Sequence, residues 1–324
     1  MHKSLTKAIG NTPLVNVDFK TKATVLAKLE YLNPGGSIKD RSALFMIEEA
    51  ERTGQLKPGG TIIDASSGNQ GIATAMIGAM KGYKVIITVS EKISLEKLQA
   101  IRAYGAQTII CKPTSSLEDP ESYHAKAVEL HKATPNSFMP NQYFNLSNSE
   151  AHYRSLGPEL WEQTEGKITH LFAAAGTGGH ISGAGRYLKE KNPSIKVIAL
   201  DSENSWYLTK GNPKPYKIEG IGIDFDSPVL NKTVIDEIIG VSDDHALTML
   251  KTLALNHGLL VGPSSGAVAY AASQYAKNLP NDALCVMIFG DSGRAYLTKN
   301  FYAHEEPTMT KNIATPHIKV VAEL

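Results

Sequence analysis

The sequence has almost no cysteine, no long apolar run and no excess of either charge. Cys111 and Cys285 are the only thiols in 324 residues. Such a pair excludes a disulfide framework and a Cys-rich zinc site, and suits buried thiols of a cytoplasmic protein. No metal site is expected. No stretch of about 18 apolar residues is present, so no membrane-crossing helix is expected. The opening residues, Met1 to Ala8, lack the apolar core of a signal peptide. Basic residues number 33 and acidic residues 32, for a formal net charge of +1. With no basic stripe, neither nucleic acid nor an acidic membrane is an expected partner. Internal repeats and low-complexity segments are also missing.

What is present is a globular composition, 42% hydrophobic and 20% charged, in a chain longer than one core usually fills. Ala43, Met46, Ile47 and Ala50 follow i, i+3, i+4, i+7 spacing, which predicts a helix over 40–53. Short β-branched runs at 61–64, 84–89 and 108–111 alternate with helical stretches at 72–80, 95–104 and about 122–133. Residues 113–121 are polar and suit a loop. The second half repeats the pattern. Helices are expected at 149–164, 181–191, 243–256, 266–278 and near 294–301. Strands are expected at 171–174, 197–200, 259–261 and 284–289, with an irregular stretch over 202–230. Apolar strands separated by helices predict an α/β protein whose parallel sheets are covered on both faces. The polar tail 303–324 is expected to be peripheral.

Three segments carry the candidate chemistry. Lys39 lies in Asn33-Pro34-Gly35-Gly36-Ser37-Ile38-Lys39-Asp40-Arg41, a turn feeding a helix. Burial lowers a lysine pKa, which is what an amine needs in order to react as a nucleophile or base. Taken alone, Lys39 reads equally as a solvated charge, and Asp40 and Arg41 as structural pairing groups. Ser66-Ser67-Gly68-Asn69-Gln70-Gly71 offers hydroxyls, an amide and backbone N–H groups to a carboxylate or a ring hydroxyl. A helix N-cap explains the same residues. Gly176-Thr177-Gly178-Gly179-His180 follows the apolar run Leu171–Ala175 and opens a helix, which suits a phosphate. A tight structural turn is the alternative. The dinucleotide pattern Gly-x-Gly-x-x-Gly would need glycine where Ile181 stands, although Asp201 closes the next strand as a ribose-binding acid would. A reactive lysine, a Ser/Asn loop and a phosphate loop together suit pyridoxal phosphate. In a fourth segment, Gly262-Pro263-Ser264-Ser265-Gly266, a serine facing a pyridine nitrogen would leave that nitrogen unprotonated. That favours β-elimination and β-replacement over transamination. A helix cap is again the alternative.

Together these segments resemble the fold-type II pyridoxal-phosphate enzymes, and within them the cysteine synthase and cystathionine β-synthase family. The resemblance runs from Ile9-Gly10-Asn11-Thr12-Pro13-Leu14 to about Phe301. It implies two lobes of the tryptophan synthase β type. Residues 42–148 would form a smaller mobile lobe, and 1–41 with 149–324 a larger cofactor-binding lobe. It also implies a homodimer. Carried over position by position, Lys39 is the Schiff-base lysine and the base that moves the Cα proton. Asn69 contacts the cofactor ring hydroxyl. Gly176, Thr177, Gly178 and Gly179 bind phosphate together with position 180, and Ser264 meets the pyridine nitrogen. Ser66, Ser67, Gly68, Asn69 and Gln70, with Gln142 of Asn141-Gln142-Tyr143, would hold the substrate carboxylate. Gly220 and Gly222 of Glu219-Gly220-Ile221-Gly222 would flank the substrate opposite the cofactor.

The segments Glu219–Phe225 and Asp291–Lys299 resemble the cystathionine β-synthase branch more closely. The early start of the family motif leaves no expected room for a haem segment. The end of the chain leaves none for a regulatory module, so a bare catalytic core is expected. The implied reaction is β-replacement on serine or O-acetylserine with a thiol nucleophile, homocysteine first and sulfide as the alternative. A serine/threonine dehydratase and a non-catalytic binding protein on this scaffold are more distant readings. Three positions depart from the family pattern. His180 replaces a threonine and, if it faces the phosphate as a cation, would add a charge-assisted bond. Ser66 replaces a threonine, a mild change. Gln70 replaces a threonine and is expected near the pocket mouth, as a polar partner for homocysteine.

Overall fold

The computed structural model describes residues 4–114 and 119–303. The strands are Leu14–Asn16 (β1), Thr24–Leu29 (β2), Thr61–Ala65 (β3), Lys84–Ser90 (β4), Gln107–Cys111 (β5), Ser137–Phe138 (β6), His170–Ala174 (β7), Lys196–Ser202 (β8), Glu237–Val241 (β9) and Leu284–Phe289 (β10). The helices are Lys39–Arg52 (α1), Asn69–Lys81 (α2), Leu95–Ala103 (α3), Tyr123–Ala133 (α4), Ser147–Arg154 (α5), Leu156–Gln163 (α6), Gly179–Lys191 (α7), Asp243–His257 (α8) and Pro263–Tyr275 (α9). One sheet runs β5-β4-β3-β6 and is wholly parallel. The other runs β1-β2-β10-β7-β8-β9, parallel except for the β1–β2 hairpin. The α/β architecture is that of the fold-type II enzymes, with helices covering two parallel-rich sheets.

The larger sheet shows why its strands read as unbroken apolar runs. Phe172, Ala174, Ile198 and Leu200 face one core, shared with residues of α8 and α9. Leu171, Ala173, Val197 and Ala199 face the other, shared with residues of α6 and α7. Alternate side chains are thus buried on both faces, as parallel sheets require.

Several expectations need correction. Residues 149–164 form two helices rather than one, parted at Ser155 (φ −127°, ψ −68°). Pro158 lies just beyond the break. In a continuous helix it could not donate to the Arg154 carbonyl, and its ring would crowd that group. Residues 259–261 form no strand, only an isolated bridge at Val261 to Ser292. The final helix is a 3-10 turn over Gly293–Lys299. β1, β2, β6 and β9 were not anticipated. β2 carries Lys28 into the interior, where Nζ is fully buried and donates to the Thr12 carbonyl, Glu159 and Gln163 at 2.7, 2.9 and 2.8 Å. A buried charged residue hides a central strand from hydropathy. Beyond residue 303, the expected tail lies outside the described residues, as do 115–118 of the expected 113–121 loop.

Candidate active site

In open α/β sheets ligands bind beyond the carboxyl ends of the parallel strands. The loops after β3, β7 and β10 all emerge there, on the same end of the two sheets. Lys39 is the first residue of α1. Ser37 forms a bridge with Asp291, and Ile38 N–H donates to Gly290 O at 2.8 Å, so the lysine turn is stitched to the end of β10. Lys39 is half-buried, and its Nζ reaches Thr177 Oγ1 at 3.4 Å. The lysine and the Gly-rich loop therefore share one site. Burial pushes the Lys39 amine down to about 8, against the opposing pull of Asp291 and Asp64.

Arg41 does not pair with its neighbour Asp40. It donates to Glu30 at 2.7 and 2.9 Å and to Glu159 at 2.6 and 2.7 Å. Thr12 and Lys28 complete this buried network, which anchors the start of α1. Asp40 instead accepts from Gly35 N–H at 2.5 Å and fixes the turn before Lys39.

The Gly-rich loop leaves a set of backbone donors open. Gly178 has φ +81° and is the N-cap of α7. Ala there would be strained, and its Cβ would stand 2.6 Å from Leu230. Among the described residues, no protein acceptor meets the backbone N–H of Gly176, Thr177, Gly178, His180 or Ile181, although all but Gly176 are buried. Buried N–H groups are rarely left unpaired. A phosphate at this helix N-terminus would satisfy them. The loop after β3 repeats the device. Ser66 N–H donates to Thr88 O, and Ser66 Oγ accepts from Gly68 and Gly71 N–H, bracing the turn. Ser67 Oγ accepts from Ser90 N–H at 2.5 Å. The N–H groups of Ser67, Asn69 and Gln70 find no acceptor among the described residues, which leaves them for a carboxylate.

Ser66 Oγ reaches the first turn of α2 through Gly71 N–H, but no Ser or Asn stands at the N-cap position of α2 or α9. Gly68 and Gly262 are the N-caps of α2 and α9, and neither helix has a side-chain cap bond. Asn69 Nδ2 instead donates to Asp291 Oδ2 at 2.7 Å. Ser264 is buried, and a Cβ added to Gly220 would lie 3.4 Å from its Oγ. Gly176 packs on the Gly220 carbonyl, and Gly222 N–H donates to Ala175 O at 2.9 Å. The structure thus groups Gly176, Gly220, Gly222 and Ser264. Gln142 is buried with Oε1 unpartnered. Asn148 donates to its carbonyl and to Thr177 Oγ1, at 2.7 and 3.2 Å.

Two departures resolve differently from expectation. Gln70 is 1% exposed. Its Oε1 accepts from Ser42 Oγ, and its Nε2 donates to Thr74 Oγ1, both at 3.3 Å. The side chain is turned toward Ser42 and Thr74 rather than toward a pocket mouth. His180 is buried at the second position of α7, with its ring edge-on to His152. Burial, then the Lys39 charge, pushes its imidazole down to about 3. With no anion beside it the ring is neutral near pH 7.

Asn148 and Asp291 went unrecognised as site residues. Asn148 has the signature of an ordinary helix start. Asp291 did carry a usable signal, an acid just past the carboxyl end of an apolar strand. Beside this cluster, a cleft of about 960 Å³ is lined by Lys92, His124, Tyr143, Phe144, Asp224 and Phe225, among others. Among the described residues no group of His, Cys, Asp or Glu could hold a metal, and no helix is long and apolar enough to cross a membrane.

Comparison with known proteins agrees with this geometry. A cystathionine beta-synthase of Apis mellifera is 45% identical over 301 residues, covering 90% of this chain and 60% of that one. A cysteine synthase of Staphylococcus aureus is 42% identical over 307 residues, covering 94% and 98%. The crystal structure of an O-acetylserine dependent cystathionine beta-synthase from Helicobacter pylori matches with a TM-score of 0.87 at 38% identity, covering 94% and 99%. The family described as "Pyridoxal-phosphate dependent enzyme" matches residues 5–291. On that match, and with a lysine, a Gly-rich loop and a Ser/Asn loop gathered at the carboxyl ends of two parallel-rich sheets, the chain belongs to the pyridoxal-phosphate dependent enzymes, in the branch that performs β-replacement.

Proposed function

We propose that this enzyme replaces the β-substituent of serine or O-acetylserine with homocysteine, with sulfide as the competing nucleophile. In this reading the phosphate rests on Gly176–His180, Asn69 meets the ring hydroxyl and Ser264 the ring nitrogen. Ser67, Asn69 and Gln70 hold the substrate carboxylate through backbone N–H groups, with Gln142 Oε1 beside them. Pyridoxal phosphate, when bound, supplies the electron sink that lets the Cα–H bond break. Lys39 Nζ takes the Cα proton, holds it while the β-substituent departs and the thiol adds at Cβ, and returns it. Residues 42–148 move as a lobe against 1–41 with 149–303 and exclude water. We place the enzyme in the cytoplasm as a homodimer, by the same family reading.

The observation that carries the substrate assignment is the cleft beside the site. It presents Lys92 and Asp224 with the aromatic walls of Tyr143 and Phe225. An amino-acid thiol can use both charges and the apolar wall, whereas sulfide needs none of them. Sites that hydrogen-bond a substrate group discriminate against substrates lacking it by up to about 10⁴–10⁵. The assay compares kcat/KM for homocysteine and sulfide with each donor. Homocysteine is expected to win, and Asp224→Ala to lower its value more than that of sulfide. The resemblance to the staphylococcal enzyme, which spans nearly the whole of both chains, supports cysteine synthesis as the second reading. A tenfold advantage for sulfide with O-acetylserine, indifferent to Asp224→Ala, would establish it.

The Lys39 environment gives a second expectation. Its amine is held down to about 8, so the neutral, reactive form grows as pH rises and is dominant above 8. The rate at which the apo-protein captures pyridoxal phosphate, trapped by borohydride, should climb between pH 7 and 8 and level off above. A rise still continuing at pH 10 would show an ordinary solvated lysine.

A further inference from the structure

Three segments of the site meet on one residue that has no role in the reading above. Asp291 lies just beyond β10 and is 4% exposed. Its backbone bridges Ser37, two residues before Lys39. Its carbonyl accepts from Gly262 N–H at 3.0 Å, at the N-cap of the helix carrying Ser264. Its Oδ2 accepts from Asn69 Nδ2 at 2.7 Å and from Tyr296 OH at 2.5 Å. Among the described residues its Oδ1 has no partner, and it lies against Gly262, where any Cβ would collide with it. Gly262 has φ −74°, open to any residue, so glycine is needed there for space.

The chemistry of the contact is directional. Asp291 Oδ2 already accepts from Tyr296 OH, and an amide donates only through nitrogen. Asn69 must therefore turn Nδ2, and not Oδ1, toward Asp291. That leaves its second N–H for another acceptor and forbids the flipped amide. The bond also links the two sheets, because Asn69 opens α2 after β3 of the smaller sheet while Asp291 lies just beyond β10 of the larger.

We propose that Asp291 is a positioning residue that locks the Asn69 amide with one N–H free for the cofactor ring hydroxyl, and ties that contact to the Lys39 and Ser264 segments. The inference rests on the reading of Asn69 as the ring-hydroxyl contact. Asp291 touches neither substrate nor cofactor in this account and acts through Asn69.

The test is a double-mutant cycle on the full chain, read by the dissociation constant of pyridoxal phosphate and by the visible spectrum of the loaded protein. Asp291→Ala should weaken cofactor binding at least tenfold and shift the absorption band. In the Asn69→Ala background it should add less than twofold. Asp291→Asn, which keeps a carbonyl for Asn69, should cost less than fivefold, and only when Asn69 is present. If Asp291→Ala fails to fold by circular dichroism, Asp291→Asn in the two backgrounds decides. Equal factors in both backgrounds would overturn the role of Asp291 while leaving that of Asn69 intact. If Asn69→Ala itself changes neither readout, the Asn69 reading falls, and this inference with it.

Discussion

Lys39→Ala is expected to abolish turnover while leaving the fold as stable as before or slightly more so. One group shuttling a proton contributes about 10²–10⁴-fold, and in the proposed function the same amine also anchors the cofactor. The loss in kcat should therefore sit at the upper end of that range or beyond. Stability should not suffer, because among the described residues Nζ has one long contact, to Thr177 at 3.4 Å, and no direct ion pair. Burial opposes its charge, as the amine held down to about 8 shows, and alanine removes that cost. The measurements are steady-state turnover, a thermal melt and the visible spectrum after adding pyridoxal phosphate. Turnover within tenfold of the parent enzyme would remove Lys39 from the mechanism.

The largest stability effect should come from Arg41, two residues further on. It sits between Glu30 and Glu159, with Lys28 behind them. Removing one member of a buried ion pair strands the others, at a cost of about 3–5 kcal/mol. Arg41→Met should lower stability by that amount in a urea titration, with cofactor binding weakened because α1 loses its anchor beside Lys39. A loss below about 1 kcal/mol would mean that water or rearrangement compensates the carboxylates. The same network sets the acid limit. Burial pushes the Glu159 carboxyl up, but Arg41 and Lys28 outweigh it and hold the group at about 2, against 4.5 for a free carboxyl. A carboxyl held low in the folded chain contributes stability fully above about pH 4.5 and loses it as pH falls toward 2. Unfolding should steepen within that window, and Glu159→Gln should flatten it.

The site was largely legible as a set of segments, because each is a local device. A glycine-rich turn that opens a helix, a Ser/Asn loop after a strand and a lysine after a Gly-Gly turn can be recognised from neighbours in the chain. What those side chains face was not legible. Gln70 sits inside a carboxylate loop yet buries its amide against Ser42 and Thr74. In a helix, adjacent residues point about 100° apart, so membership of a loop does not fix direction. His180 carries the right donor for a phosphate, but its burial pushes its imidazole down, and burial follows from packing that no motif shows. Lys28 made β2 look unlike a strand, because the partners that neutralise it lie more than a hundred residues away.

The sequence by itself determined the fold class and the cofactor. Each rests on short-range patterns of period, turn chemistry and motif order that survive without coordinates. Tertiary structure alone decided that Asn69 from one sheet meets Asp291 from the other, and that Arg41 serves Glu30 and Glu159 rather than Asp40. It also decided that the loop N–H groups stay unpaired. These are long-range facts. They depend on which strand ends the topology brings together and on the desolvation that follows, and no local window of residues encodes either.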